Sequence, residues 1–324
     1  MRKIRFYAMS LTAIGFMLLA GCEKSDSGSK PEVITGDKDN LTKNSVTLYG
    51  EITEDHGEEI VDKGFVYFTD LNHPENSKPV STREGGSLFQ AVVSGLSPAT
   101  RYYYRAYAEN NSGVAYGESR EFTTLDEDGM TEDINNIVPK DVQDEMEDLG
   151  ISLNGGGNPP NIAGSFLMSP LILVETTIPN DFELGHLFSD VYFRFSEQDN
   201  NNLTIKFEYV FNSEEQSSGE GTGAFITGSG NDFSVFVENL QTDEHGHRSR
   251  NVQVYSGTVT SSGIRDLYMA IFMIDDGGDP DDNLIENGQG RLFYDSDRFS
   301  ERISETRSKK LSDGVSRPLI LQSK

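Results

Sequence analysis

Apolar and polar residues alternate along most of the chain from residue 31 onward, with the period of two that is typical of half-buried β-strands. The alternating runs in the first part include 46–52, 89–93 and 102–108. In the second part, 203–211 alternates cleanly, whereas 267–274 is apolar on both faces. Turn residues, chiefly Gly, Asn, Asp and Pro, separate these runs. The pattern predicts an all-β protein with two β domains.

A different pattern lies between the two β regions. Apolar residues recur there at spacings of three to five, at Ile134, Ile137, Val142, Met146 and Leu149. This is the stripe of a short amphipathic helix, with Pro139 at a first-turn position and Gly150 as a stop. We therefore predict short helices that pack onto the second domain.

These patterns divide the chain into six segments. They are a signal peptide (1–21), a flexible tether (22–30), a first β domain (31–125), an acidic, partly helical connector (126–160), a second β domain (161–312) and a C-terminal tail (313–324). The second domain has about eight strand candidates joined by short turns, which favours an antiparallel β-barrel or a closed β-sandwich. Its two-sided apolar run, 267–274, should be covered on both faces.

The first β domain resembles a fibronectin type III domain. The resemblance depends on the segment 96–108, in which Leu96 stands six residues before Tyr102. It implies a β-sandwich in which the Tyr102 ring packs in the core and its hydroxyl bonds to upstream backbone. The chain departs from the family pattern because it contains no tryptophan. Tyr49 or Phe68 is expected to fill that space.

The start of the second domain, 162–166, faintly resembles the Gly-x-Trp opening of lipocalin-like barrels, with Phe166 in place of tryptophan. That resemblance implies an up-and-down barrel with an internal site for a small apolar ligand. Met269 and Met273 fit either such a cavity or an ordinary packed core.

The N-terminal segment has the features of an export signal. Three basic residues precede an uncharged apolar run over 6–20, which is too short to span a bilayer. The run ends in Leu-Ala-Gly-Cys at 19–22, which resembles the lipobox of bacterial lipoproteins. The resemblance implies cleavage before Cys22, a diacylglycerol on its sulfur and anchoring in the outer membrane, since Glu23 stands where a retention signal would carry aspartate. Whether the protein faces the cell surface or the periplasm stays open.

Composition narrows the choice of partners. Cys22 is the single cysteine, so no internal disulfide forms, and lipidation would remove its reactive thiol. The chain has 53 acidic and 27 basic residues, a net charge of −26. This charge repels phosphate backbones, so nucleic acid is excluded as a partner.

The densest group of carboxylates lies at 275–283. Its oxygen-bearing residues are Asp275, Asp276, Asp279, Asp281, Asp282 and Asn283. Calcium binds six to eight oxygens in acidic loops, so this segment is a candidate calcium site. The segment departs from the EF-hand pattern, and a solvated hairpin turn is the alternative. His245 and His247 are a further metal candidate, although no third ligand can be identified for them, and a solvated turn is the favoured alternative.

No catalytic constellation can be identified, so we do not expect an enzyme. We predict a lipid-anchored binding or structural protein in which a fibronectin-type spacer presents a β domain to an extracellular glycan or protein. A lipocalin-like carrier of a small apolar ligand and an extracellular glycan-directed hydrolase are the alternatives.

Overall fold

The computed structural model describes residues 28–82, 86–211, 217–220, 223–242, 248–279 and 284–304. The predicted signal peptide, Cys22, His245, His247 and the predicted tail lie outside the described residues.

Strands dominate the described part of the chain, and the predicted all-β class is confirmed. The first strands are β1 (Glu32–Asp39), β2 (Ser45–Glu54), β3 (Asp62–Phe68), β4 (Lys78–Ser81), β5 (Leu88–Ser94), β6 (Arg101–Asn110), β7 (Gly113–Tyr116) and β8 (Arg120–Thr123). Two helices follow, α1 (Glu132–Ile137) and α2 (Lys140–Asp148). The remaining strands are β9 (Gly164–Met168), β10 (Leu171–Thr176), β11 (Leu187–Phe188), β12 (Val191–Asp199), β13 (Thr204–Phe211), β14 (Ser217–Glu220), β15 (Gly223–Ser229), β16 (Asp232–Thr242), β17 (Arg248–Val259), β18 (Gly263–Asp275), β19 (Gly290–Asp295) and β20 (Phe299–Ile303).

The first eight strands form a sandwich of two antiparallel sheets. One sheet has the order β1-β2-β5, and the other has the order β4-β3-β6-β7 with β8 also paired to β6. Tyr102 is buried, and its hydroxyl accepts a hydrogen bond from the Ser97 backbone N–H at 3.0 Å. The geometry predicted for this tyrosine is therefore confirmed.

Neither of the two residues predicted to fill the space of the missing tryptophan joins the main core cluster of the sandwich. Tyr49 is 37% exposed, and Phe68, although buried, lies outside the main core cluster of the sandwich. Phe65 and Phe89 occupy the core instead, with ring centroids 5.3 Å apart. Neighbouring strands of opposite sheets supply these two rings.

Eight strands of the second domain close into an antiparallel barrel. Their order is β18-β17-β16-β15-β13-β12-β9-β20, and β20 returns to pair with β18. This resolves the predicted choice between barrel and sandwich in favour of the barrel. From β18 the sheet also continues outward through β19, β10 and β11. A dense cluster of buried aromatic and aliphatic side chains lies in the core of this domain.

The two helices pack on the outer face of the barrel, as predicted. Thr131 caps α1 by accepting a hydrogen bond from the Ile134 N–H at 3.1 Å. Ile134 and Met146 then join Phe236 and Phe272 in one buried cluster. This explains the two-sided apolar run of β18, because Ala270 and Phe272 face the helices while Leu267, Met269, Ile271 and Met273 belong to the barrel core.

The sandwich contacts one end of the barrel. Gly157 forms β-bridges with both Leu41 of the sandwich and Gly228 at the end of β15. A Cβ on Gly157 would lie 2.2 Å from the Leu41 carbonyl oxygen, so this close approach requires glycine. Leu203, at the start of β13, packs into the sandwich core. We call this the proximal end and the opposite one, where β16 ends and β17 begins, the distal end.

Among the described residues, neither helix has the length and apolar character needed to cross a bilayer.

Candidate functional site

A group of polar side chains lies on the inner wall of the barrel toward its distal end. Its members are Tyr209, Asn239, Asn251, Gln253 and Tyr255, which we call the distal polar cluster. Val235 and Val237 of β16 belong to the barrel core, and the period of two places Asn239 on the same face. In the register of β16 with β17, Val235 pairs with Tyr255, Val237 with Gln253 and Asn239 with Asn251. The alternation that buries apolar side chains nearer the proximal end thus buries amides here.

Hydrogen bonds join the cluster in two pairs. The Tyr255 hydroxyl donates to Gln253 Oε1 at 2.9 Å, and Asn239 Nδ2 donates to Asn251 Oδ1 at 3.3 Å. Asn251, Gln253 and Tyr255 are all 0% exposed. The two amide oxygens are therefore satisfied although solvent does not reach these side chains.

The two amide nitrogens differ. Asn251 Nδ2 is buried and has no hydrogen-bond partner among the described residues, whereas the Gln253 amide hydrogen-bonds the Tyr209 side chain. A buried donor without an acceptor costs about 1–3 kcal/mol. Such groups in a native fold call for an explanation, commonly an acceptor supplied by a bound molecule or a water. Asn251 Nδ2 is therefore a donor that a bound water or another acceptor would satisfy.

The phenols of the cluster stay neutral over the physiological range. Burial raises the pKa of Tyr255 well above its ordinary value, and the neighbouring Tyr209 raises it further. Burial also raises the pKa of Tyr209, although the adjacent Gln253 amide partly opposes this. The cluster thus consists of uncharged amides and hydroxyls, which suit binding through hydrogen bonds rather than proton transfer.

Aromatic rings form the wall beside the cluster. The Phe207 ring lies 4.7 Å from Tyr255 and 5.7 Å from Tyr209, between centroids, and Phe193 lies 5.5 Å from Tyr255. Met269 and Met273 are fully buried among these core residues. Their environment favours the packed core over the apolar cavity that the lipocalin resemblance implies.

The predicted calcium loop follows β18, also at the distal end. Asp275 accepts a hydrogen bond from the Gly277 N–H at 2.9 Å, Asp276 from the Gly278 N–H at 2.8 Å and Asp279 from the Leu284 N–H at 2.5 Å. These carboxylates close the backbone of their own turn, as the alternative interpretation expects.

The other predicted ligands, Asp281, Asp282 and Asn283, lie outside the described residues. Within the part of the chain that the structure describes, no three His, Cys, Asp or Glu side chains are grouped to hold a metal. Calcium binding by this loop stays a prediction.

Two cavities flank the junction of sandwich and connector. One, of about 500 Å³, is lined by residues that include Arg101, Asp126 and Asn135, and the other, of about 340 Å³, by residues that include Lys43 and Glu127. In each cavity a pair of polar side chains is already joined: Asn135 donates to Asp126 at 2.8 Å, and Lys43 pairs with Glu127 at 2.7 Å. The distal polar cluster, in contrast, contains the buried donor Asn251 Nδ2 without a partner among the described residues, and it is therefore the stronger candidate.

Comparisons with known proteins identify no family. No protein-family model matches the sequence, and no curated protein matches it. Among solved structures, the sensor domain of the anti-sigma factor RsgI4 in Pseudobacteroides cellulosolvens is 19% identical, covering 30% of this chain and 97% of that one, with a TM-score of 0.25. The cycloalternan-forming enzyme from Listeria monocytogenes is 11% identical, covering 72% of this chain and 20% of that one, with a TM-score of 0.21. Structural similarity at these TM-scores does not indicate a function for this chain.

Proposed function

We propose that this chain is a lipid-anchored, extracytoplasmic binding protein whose barrel recognises an extracellular ligand at the distal polar cluster. The observation that supports this most directly is the buried amide donor Asn251 Nδ2, which has no acceptor among the described residues. A fold that serves purely as a scaffold gains nothing from retaining such groups, because apolar residues of the same shape would be neutral or stabilising.

The arrangement of the modules supports the same proposal. A lipid on Cys22 would precede the sandwich, and the sandwich contacts the proximal end of the barrel. The cluster therefore lies toward the end of the barrel that points away from the sandwich. The fibronectin-like module acts as a spacer in this arrangement, and the protein works by recognition without chemical turnover.

The ligand site is tested with the full chain purified from membranes and the variant Asn251→Leu. Thermal shift and calorimetric titration are run with panels of neutral glycans, anionic glycans and apolar molecules. Leu keeps the branched shape of the side chain and removes the unsatisfied amide, so we expect at least tenfold weaker binding.

Thr258→Val provides the matched control. It lies on the same strand near the proximal end, where Thr258 hydrogen-bonds Asp232 at 2.6 Å. It should bind like the wild type. Equal binding by wild type and Asn251→Leu would refute the proposed site.

The anchor is tested separately by Cys22→Ser. We expect this variant to lose incorporation of labelled fatty acid and to leave the membrane fraction, whereas Ser27→Ala in the tether keeps both. Fatty-acid labelling that persists in Cys22→Ser would contradict the anchor.

A further inference from the structure

We infer that strand β5 of the sandwich is a pairing edge, and that a second copy of this chain adds to it in antiparallel register. The interface lies in the sandwich and is separate from the ligand site proposed in the barrel. Three features of β5 support it: the backbone groups on its free side, the absence of residues that protect an edge, and the self-complementary order of its exposed side chains.

One side of β5 is open to backbone pairing. Among the described strands, β5 pairs only with β2, and the Ile52 N–H donates to the Ser87 carbonyl at 2.8 Å at the end of this ladder. Because hydrogen-bonded and non-hydrogen-bonded pairs alternate along an antiparallel ladder, the even-numbered residues of β5 direct their N–H and C=O groups away from β2. They include Leu88, Gln90 and Val92, and no hydrogen bond within the described part of the chain occupies that side.

β5 also lacks the residues that usually keep a sheet edge from pairing. Soluble proteins protect free edges with charged residues, proline or bulges. The opposite edge of the same sheet, β1, has Lys38 next to a shift in its register, and β4, an edge of the other sheet, has Lys78 and Pro79. In contrast, β5 reads Leu-Phe-Gln-Ala-Val-Val-Ser, without charge, proline or register shift. This edge is therefore open to another strand.

The exposed side chains of β5 fit a second copy of the same strand. Leu88 is 68% exposed and Val92 is 63% exposed, and both lie on the outer face of the sheet with Gln90 between them. Antiparallel pairing about a two-fold axis at Gln90 places Leu88 of each copy opposite Val92 of the other. The same register brings the outward N–H and C=O groups of the two strands together, because the outward residues are symmetric about Gln90. Each copy thus covers apolar side chains and backbone groups of the other.

The charge of the chain favours contact through this strand. Two copies with a net charge of −26 repel each other, so an uncharged strip is where they can approach most closely. Salt should therefore strengthen the association. β5 has 7 residues, whereas a standard interface has about 20–30 residues on each side, so we expect a weak dimer that forms at high local concentration.

Disulfide cross-linking of the full chain tests the pairing. Gln90→Cys places two thiols directly opposite each other, with Cα atoms about 5.5 Å apart, a distance that a disulfide spans. Val92→Cys is the matched control, because it is also exposed on β5 but its two copies lie about 13 Å apart in this register. Wild type, whose single cysteine is Cys22, gives the background. Under mild oxidation, we expect Gln90→Cys to form the linked dimer at least tenfold faster than Val92→Cys.

Three further variants test the register and distinguish the edge of the sheet from its face. A mixture of Leu88→Cys and Val92→Cys should form the mixed dimer at a rate near that of Gln90→Cys. In the Gln90→Cys background, Val92→Lys should slow cross-linking at least tenfold, because each lysine faces the apolar Leu88 of the other copy. Ile34→Lys adds the same charge to the outer face of β1, two strands from the axis, and should leave the rate unchanged.

Four outcomes would overturn the pairing. Equal rates for Gln90→Cys and Val92→Cys would show random collision, and a faster rate for Val92→Cys would exclude the two-fold axis at Gln90. Slowing by Ile34→Lys as strong as that by Val92→Lys would show that sheet faces meet instead of edges. Cross-linking of Gln90→Cys only to a protein of different mass would exclude a second copy as the partner.

Discussion

Asp295 should make the stability of the protein fall as pH rises toward neutrality. It lies on β19 and is 1% exposed. Its Oδ2 accepts hydrogen bonds from the Ser300 hydroxyl at 3.0 Å and the Ser169 N–H at 3.3 Å, whereas its Oδ1 has no partner among the described residues. Burial, with a contribution from the charge of Asp297, outweighs these bonds and raises the pKa of Asp295 from 3.8 to about 7. No salt bridge of the described residues compensates this carboxylate.

The sign and size of the effect follow from the two pKa values. Between pH 3.8 and about 7, the folded protein holds a proton that the unfolded chain has released. The contribution of Asp295 to the stability of the folded protein is therefore largest at low pH. It is lost as pH rises through that range. At 1.36 kcal/mol for each pKa unit, a shift of about three units corresponds to at most about 4 kcal/mol.

Asp295→Asn tests this directly, because the amide keeps an acceptor for Ser169 and Ser300 but cannot ionise. Urea unfolding is measured for wild type and variant at intervals from about pH 4 to about pH 8. We expect the stability difference to change in favour of the variant by up to about 4 kcal/mol across that range. The matched control, Glu301→Gln, removes an exposed charge from β20, the next strand along the chain.

A stability difference between Asp295→Asn and wild type that is the same at every pH would refute the reasoning. It would show that the carboxylate is hydrated or paired in the folded protein. A pH dependence equally reduced in Glu301→Gln would assign it to the net charge of the chain.

Three further changes test the fold and the predicted metal loop. Met146→Ala should lower the free energy of unfolding by about 2–5 kcal/mol, because Met146 is fully buried between helix and barrel. In the same urea titration, the control Glu147→Ala should change it by less than about 0.5 kcal/mol, because Glu147 is exposed. Tyr102→Phe should lower the free energy of unfolding by about 1 kcal/mol through loss of the hydrogen bond from the Ser97 N–H, and Tyr103→Phe serves as its control. Equal losses in the two variants would contradict the role assigned to the Tyr102 hydroxyl. Calcium binding at the loop should raise the melting temperature, and Asp276→Asn should abolish that rise. A melting temperature that calcium does not change would favour the solvated turn, in which Asp275 and Asp276 only accept hydrogen bonds from their own backbone.

Local sequence patterns were sufficient to predict much of the fold. The period of two predicted strands, and the spacing of Ile134 and Met146 predicted helices with a buried side, because each signal depends on residues that are close along the chain. The position of Tyr102 relative to Leu96 likewise predicted a hydrogen bond between the Tyr102 hydroxyl and backbone a few residues earlier in the chain. Such features need no knowledge of distant partners.

The sequence pattern did not predict the distal polar cluster, and the reason lies in strand β17. In β17, Val252 and Val254 alternate with Asn251 and Gln253, so a one-sided interpretation assigns the valines to the core and the amides to solvent. The structure buries both faces: the valines lie under the connector helices, and the amides lie inside the barrel. When both faces of a strand are buried, hydrophobicity alone does not show which face points into the barrel.

By itself, the sequence determined the all-β class, the helical connector and the acidic charge, because these depend on composition and short-range periodicity. It also supplied the lipobox-like segment on which the predicted anchor depends. The tertiary structure alone decided that β20 closes the barrel against β18 and that Asp295 is buried. It also decided which face of β17 points inward. These outcomes depend on pairings between residues far apart in the chain, and such pairings are established only when the whole sheet closes.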